Sequence, residues 1–161
     1  MDFEKRLEKA VERGRLASAQ NAANEAKQLL NEEEIKRLHS QCRLELSDYI
    51  ESCLQKLPRH FPGYQFQSVV SERGWGAAVS RDDLRLKGRG QRDSQYSRLE
   101  IVVRPLSKYH VLEISAKGTI NNKETFDRTH YELLSDADIT SFKDMIDLWV
   151  LEYAELYARK N

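Results

Sequence analysis

Apolar residues along this chain recur at different spacings in different stretches, and the spacings mark its elements. From Phe3 they return every third or fourth position, as Phe3, Leu7, Ala10, Gly14 and Ala17, the seam of an amphipathic or coiled-coil helix. The seam runs into Asn21 and Asn24, and a new stripe begins with Ala19, Ala22, Ala26 and Leu29. Alanine and glycine bury little area at about 25 cal/mol per Å². Residues 1–30 therefore read as a helical arm that packs on a partner, pairs with a second copy, or frays.

Asn31, followed by Glu32, Glu33 and Glu34, resembles a helix N-cap with acids in the first turn. The stripe behind it is firmer, with Ile35, Leu38, Cys42, Leu46, Tyr49, Cys53 and Leu57, and Pro58 ends it. Residues 2–57 are either one rod or two helices, and the capping signature favours a break near Asn31, with the second helix at 32–57.

Past Pro58 and Pro62 the period falls to two. Tyr64, Phe66, Ser68 and Val70 alternate with polar neighbours, Arg73-Gly74 turns the chain, and Trp75, Ala77 and Val79 continue it. After an exposed loop at 87–90 comes a hairpin. With Leu106 and Ser107 as its turn, Val103 faces His110, Ile101 faces Leu112 and Leu99 faces Ile114, which puts the apolar residues on one face. Asn121-Asn122 suits a further two-residue turn, because asparagine tolerates positive φ. That register sets Leu112 against Tyr131 and Glu113 against His130, and it leaves Phe126 on the outer face. Ser135-x-x-Asp138 reads as a second N-cap. The helix after it carries Phe142, Met145, Ile146, Trp149, Tyr153 and Leu156.

The expected fold is α+β. Two N-terminal helices precede an antiparallel meander of four to five strands at about 64–133, and a long C-terminal helix at 136–159 covers one sheet face. The arm 1–30 stands before a single domain at 31–161.

Charge adds little to this picture. The chain has 26 basic and 26 acidic residues, so it projects no strong field toward nucleic acid or an anionic membrane. Residues 58–134 hold 13 basic against 9 acidic, and residues 135–161 hold 3 against 6, a mild dipole. The chain lacks the apolar run of about 20 residues that a membrane-spanning helix needs, and its first ten residues, MDFEKRLEKA, resemble no signal peptide. Cys42 and Cys53 lie on one helix, roughly 16 Å apart along its axis, beyond disulfide reach. Free thiols in a reducing, cytoplasmic setting are expected.

Candidate chemistry is sparse. Arg85, Lys87, Arg89 and Arg92 surround two glycines and offer a small anion or nucleic-acid contact, although a solvated hairpin loop has the same composition. Arg98, Glu100, Arg104, Glu113, Arg128 and His130 form a polar sheet-face cluster. Glu113 opposite His130 would be its acid/base pair, and cross-strand ion pairing is the plainer role. His39 and Cys42, three apart, lack the further ligands a metal site requires. No catalytic, metal or cofactor motif stands out, so the expectation is a non-enzymatic interaction or adaptor protein without a cofactor. It would associate with itself or a protein partner through residues 1–30, with small-scale nucleic-acid or phosphate binding by loop 85–92 as the alternative.

Overall fold

The computed structural model describes residues 2–87 and 90–161, apart from the side chains of 27–30, 85–87, 91 and 92. The chain divides into two compact units, Met1–Arg37 and Leu38–Asn161.

Helix α1 runs Phe3–Leu54 without a break, so the parting anticipated near Asn31 is corrected. Between Glu25 and Glu34 the chain contains neither glycine nor proline, and Asn31 in mid-helix costs only a few tenths of a kcal/mol against a better helix former, up to about 0.7. Local capping potential does not stop a helix that propensity carries through on both sides. Beyond α1 come a short helix α2 (Leu57–His60) and five strands: β1 (Gln65–Ser71), β2 (Gly74–Lys87), β3 (Gln91–Val103), β4 (Val111–Ile120) and β5 (Lys123–Leu133). A 3-10 turn at Leu134–Asp136 leads into α3 (Ile139–Lys160). Asp138, not Ser135, caps α3, accepting from the Thr140 amide at 3.1 Å.

The sheet is antiparallel throughout, in the order β1-β2-β3-β4-β5. Its β3–β4 register differs from the expected one. Val103 pairs with Ile114, Ile101 with Ala116 and Leu99 with Gly118, so residues 104–110 form a longer connection. The offset is an even number of residues, which leaves every side chain on its expected face, and alternation alone cannot detect it.

The β4–β5 turn does fall at Asn121-Asn122, with φ of 51° and 69°. The register then shifts at Gly118/Thr119. From that bulge onward Gly118 faces Phe126, Ile114 faces His130 and Glu113 faces Tyr131. Phe126, expected outside, is buried. A bulge inserts one residue and inverts the faces beyond it.

Within Leu38–Asn161, the C-terminal part of α1 and the whole of α3 cover one face of the sheet. His39, Cys42, Leu46, Ile50, Leu54 and Leu57 are buried on the α1 side, and Phe142, Ile146, Trp149, Tyr153 and Tyr157 on the α3 side. The Arg43 guanidinium lies 4.6 Å from the Trp75 ring centre, and the Ser68 hydroxyl donates to Glu51 at 2.7 Å, fixing α1 over β1 and β2. The Tyr153 hydroxyl donates to the Thr119 carbonyl at 3.0 Å, fixing α3 over β4. Lys143 reaches Glu45 and Tyr49 reaches Asp147, so contacts climb both helices together and the two lie parallel. On the opposite face Val69, Ala78 and Val102 form a small buried cluster.

Candidate functional site

Two helices side by side leave a furrow on their solvent side, and its depth depends on the residues along it. On α1 the stripe that meets the sheet centres on Leu46, Ile50 and Leu54. Tyr49 and Cys53, counted in that stripe from the sequence, are turned toward α3 instead and remain half-buried. On α3 the matching positions are Asp147, Val150, Leu151 and Ala154. Small side chains at Ser52, Cys53 and Ala154 keep the helices from closing over, and a groove of 670 Å³ results. Leu57 and Phe61 also line it, and Lys56, His60 and Glu155 stand along it.

The polar groups in its wall satisfy one another. Asp147 accepts from the Tyr49 hydroxyl at 2.5 Å and from the Cys53 thiol at 3.7 Å. Donation to Asp147 and burial push the Tyr49 phenol up, and burial pushes the Cys53 thiol up, so both stay protonated near neutrality. Glu155 pairs with Arg159 at 3.1 Å, whereas Lys56 and His60 have no ion-pair partner among the described residues. The surface is therefore largely apolar, with Lys56 on its α1–α2 side and the partnered carboxylates of Asp147 and Glu155 on α3.

A second recess of 550 Å³ shares His60 and Phe61. Arg81 crosses it, donating to Asp83 at 2.7 Å and to the Pro62 carbonyl at 2.6 Å, and the Tyr157 hydroxyl donates to Asp83 at 3.3 Å. That guanidinium is committed to holding the α2–β1 connection against β2.

The sequence-derived sites fare differently. The side chains of Arg85, Lys87 and Arg92, and all of Arg89, lie outside the described residues. The polar sheet cluster divides between two faces. Glu100 holds Arg98 at 3.4 Å and Arg73 at 3.5 Å, and Glu113 pairs with Arg104 at 3.9 Å, all away from the helices. The bulge carries Arg128 and His130 to the helix side, where Arg128 pairs with Glu152 at 3.2 Å and the His130 ring meets Phe142 at 4.8 Å. His130 also bonds Glu132 at 2.8 Å. Glu113 and His130 are not partners, which removes the geometry that an acid/base pair between them requires. His39 and Cys42 gain no third ligand, since the described residues contain no group of three or more His, Cys, Asp or Glu able to hold a metal. Both cysteines are free thiols. No helix of the described residues is long and apolar enough to cross a membrane.

In the arm, residues 2–26 are all exposed. Phe3 is 74% exposed and Leu7 51%. A Cβ placed on Gly14 would meet nothing within 4 Å.

No known family model, curated protein or solved structure matches this chain.

Proposed function

We propose that this chain is a non-enzymatic interaction protein that associates with itself through its helical arm, residues 1–30. The observation that carries the reading is an uncovered apolar stripe. Phe3, Leu7, Ala10, Gly14 and Ala17 recur along an exposed helix, and the large members are open to solvent. Burying a Phe or Leu side chain is worth about 1.5–3 kcal/mol, whereas Ala and Gly contribute close approach more than area. Two large anchors beside three small residues describe a reversible contact.

Light-scattering molar mass of the full chain, followed over a concentration series, tests this. A mass rising toward at least twice 18.8 kDa is expected, and Leu7→Glu should return it to 18.8 kDa with unchanged helicity. A wild-type chain that stays at 18.8 kDa throughout overturns the proposal.

A further inference from the structure

We infer that the arm of one copy docks in the groove between α1 and α3 of another, running parallel to both helices. The inference rests on the self-association reading and names the surface that receives the arm. Among the described residues the groove and the arm each leave apolar side chains uncovered along a helix. The groove reaches from Tyr49 to Leu57, about 12 Å at 1.5 Å per residue, and the span from Phe3 to Ala10, about 10.5 Å, fits along it. Two apolar walls with a small residue, Ala154, between them suit the groove-binding mode of an amphipathic helix.

Charge selects the orientation. At about 100° per residue, the apolar stripe from Phe3 to Ala10 is flanked on one side by Arg6 and Lys9, and on the other by Glu4 and Glu8. The groove is flanked by Lys56 and His60 on the α1–α2 side and by Asp147 and Glu155 on α3. Looking along α1 from its N-terminus with the sheet below, α3 lies to the right, because the side of α1 bearing Tyr49 is anticlockwise of its sheet-facing side. An arm laid on top with its stripe downward and running the same way has Arg6 and Lys9 on the right, over Asp147 and Glu155. Glu4 and Glu8 then fall over Lys56. The reverse direction sets like charges together on both sides, which disfavours it.

Complementation between two variants of the full chain tests this. Leu151→Glu charges the groove at a residue that is 67% exposed, so the fold is not at risk, and Leu7→Glu charges the arm. Each variant alone should lose self-association and read 18.8 kDa. Mixed in equal amounts, they should form a complex of twice that mass, because the Leu151→Glu chain keeps a sound arm and the Leu7→Glu chain a sound groove. If Leu151→Glu alone retains the wild-type mass while Leu7→Glu does not, the arm pairs elsewhere. The groove is then excluded, and self-association through the arm stands. A mixture that yields no complex overturns the docking as well. A wild type that is monomeric at every concentration removes both proposals together.

Discussion

Phe126 lies directly opposite Gly118 across the β4–β5 ladder, and the missing side chain of the glycine makes room for its ring. A Cβ at Gly118 would stand 2.9 Å from the Phe126 ring, closer than carbon atoms pack. The ring is buried and meets Tyr153 edge-on at 6.1 Å. Gly118→Ala should therefore destabilise the domain by about 1–3 kcal/mol through overpacking. Phe126→Ala should destabilise it by about 3–5 kcal/mol. Urea denaturation of the single and double variants checks the cause. In the Phe126→Ala background the Gly118→Ala penalty should disappear, because the atoms that clash are gone.

That pair also explains how far the fold could be read from the sequence. Strand and helix periods place Leu99, Ile101, Val103, Leu112, Ile114, Phe142, Ile146, Trp149 and Tyr153 in the core, because burying one face requires a pattern of two or of three to four. They miss Val102, Glu100 and Tyr157. The pattern is silent about register. An offset by an even number of residues keeps each side chain on its face, so the pattern places Leu99, Ile101 and Val103 in the core without fixing their β4 partners. The bulge at Gly118 does invert faces, and its trace was Phe126 pointing the wrong way in an otherwise consistent ladder. The groove was hidden differently. Tyr49 and Cys53 continue the apolar spacing of α1, and only the neighbour at Asp147 shows that they face α3.

Asn122 does more than permit a turn. Its side-chain oxygen accepts from the Tyr96 amide at 2.8 Å, its amide group donates to the Ser94 carbonyl at 2.8 Å, and its backbone N–H donates to the Tyr96 carbonyl. The β4–β5 turn is thereby tied to β3 beyond the end of the β3–β4 ladder. Asn122→Gly keeps the positive φ without strain and loses both side-chain bonds. At about 0.5–1.5 kcal/mol for each bond, a loss of about 1–3 kcal/mol is expected. Hydrogen exchange should show the Tyr96 amide losing protection first, ahead of the amides in the β1–β2 ladder.

His39 makes stability depend on pH. It is buried with its Nε2 unpartnered. Burial lowers its pKa below the ordinary value of 6.5, the Arg104 backbone carbonyl opposes that, and the nearby Arg43 guanidinium adds to it. A histidine depressed in the folded state takes up its proton more readily when unfolded, so stability is complete above about 6.5 and falls as pH drops below it. Glu132 acts in a separate window. Donation from the Asp138 amide lowers its carboxyl, and its contribution is lost only as pH falls below the ordinary carboxylate value of 4.5. Unfolding free energy measured from about pH 7.5 to 5 should decline in the wild type. His39→Leu should flatten that decline and leave the loss below about 4.5 to Glu132. An unchanged slope in the variant would assign the dependence to another group.

The best-defined polar feature of the core is a directed chain of hydroxyls. The Tyr153 hydroxyl donates its one proton to the Thr119 carbonyl at 3.0 Å, so in its 2.9 Å contact with Tyr64 it must be the acceptor. Tyr64 is thus the donor and accepts in turn from Ser97, whose oxygen receives the Asn121 amide at 3.1 Å. Burial pushes both phenols up; after it, the Tyr64–Tyr153 bond raises Tyr64 and lowers Tyr153, as that direction requires. The two tyrosines should not respond alike to loss of the hydroxyl. Tyr153→Phe strands the Tyr64 proton and the Thr119 carbonyl together, whereas Tyr64→Phe strands the Ser97 proton alone and leaves Tyr153 its bond to Thr119. With about 1–3 kcal/mol for each buried group left unpaired, Tyr153→Phe should be the more damaging by about that amount. The double variant should lose less than the sum of the two, because the stranded Tyr64 hydroxyl is removed with its partner. Chemical denaturation of the two single variants and the double variant decides it, and equal losses that add would mean the hydroxyls act independently.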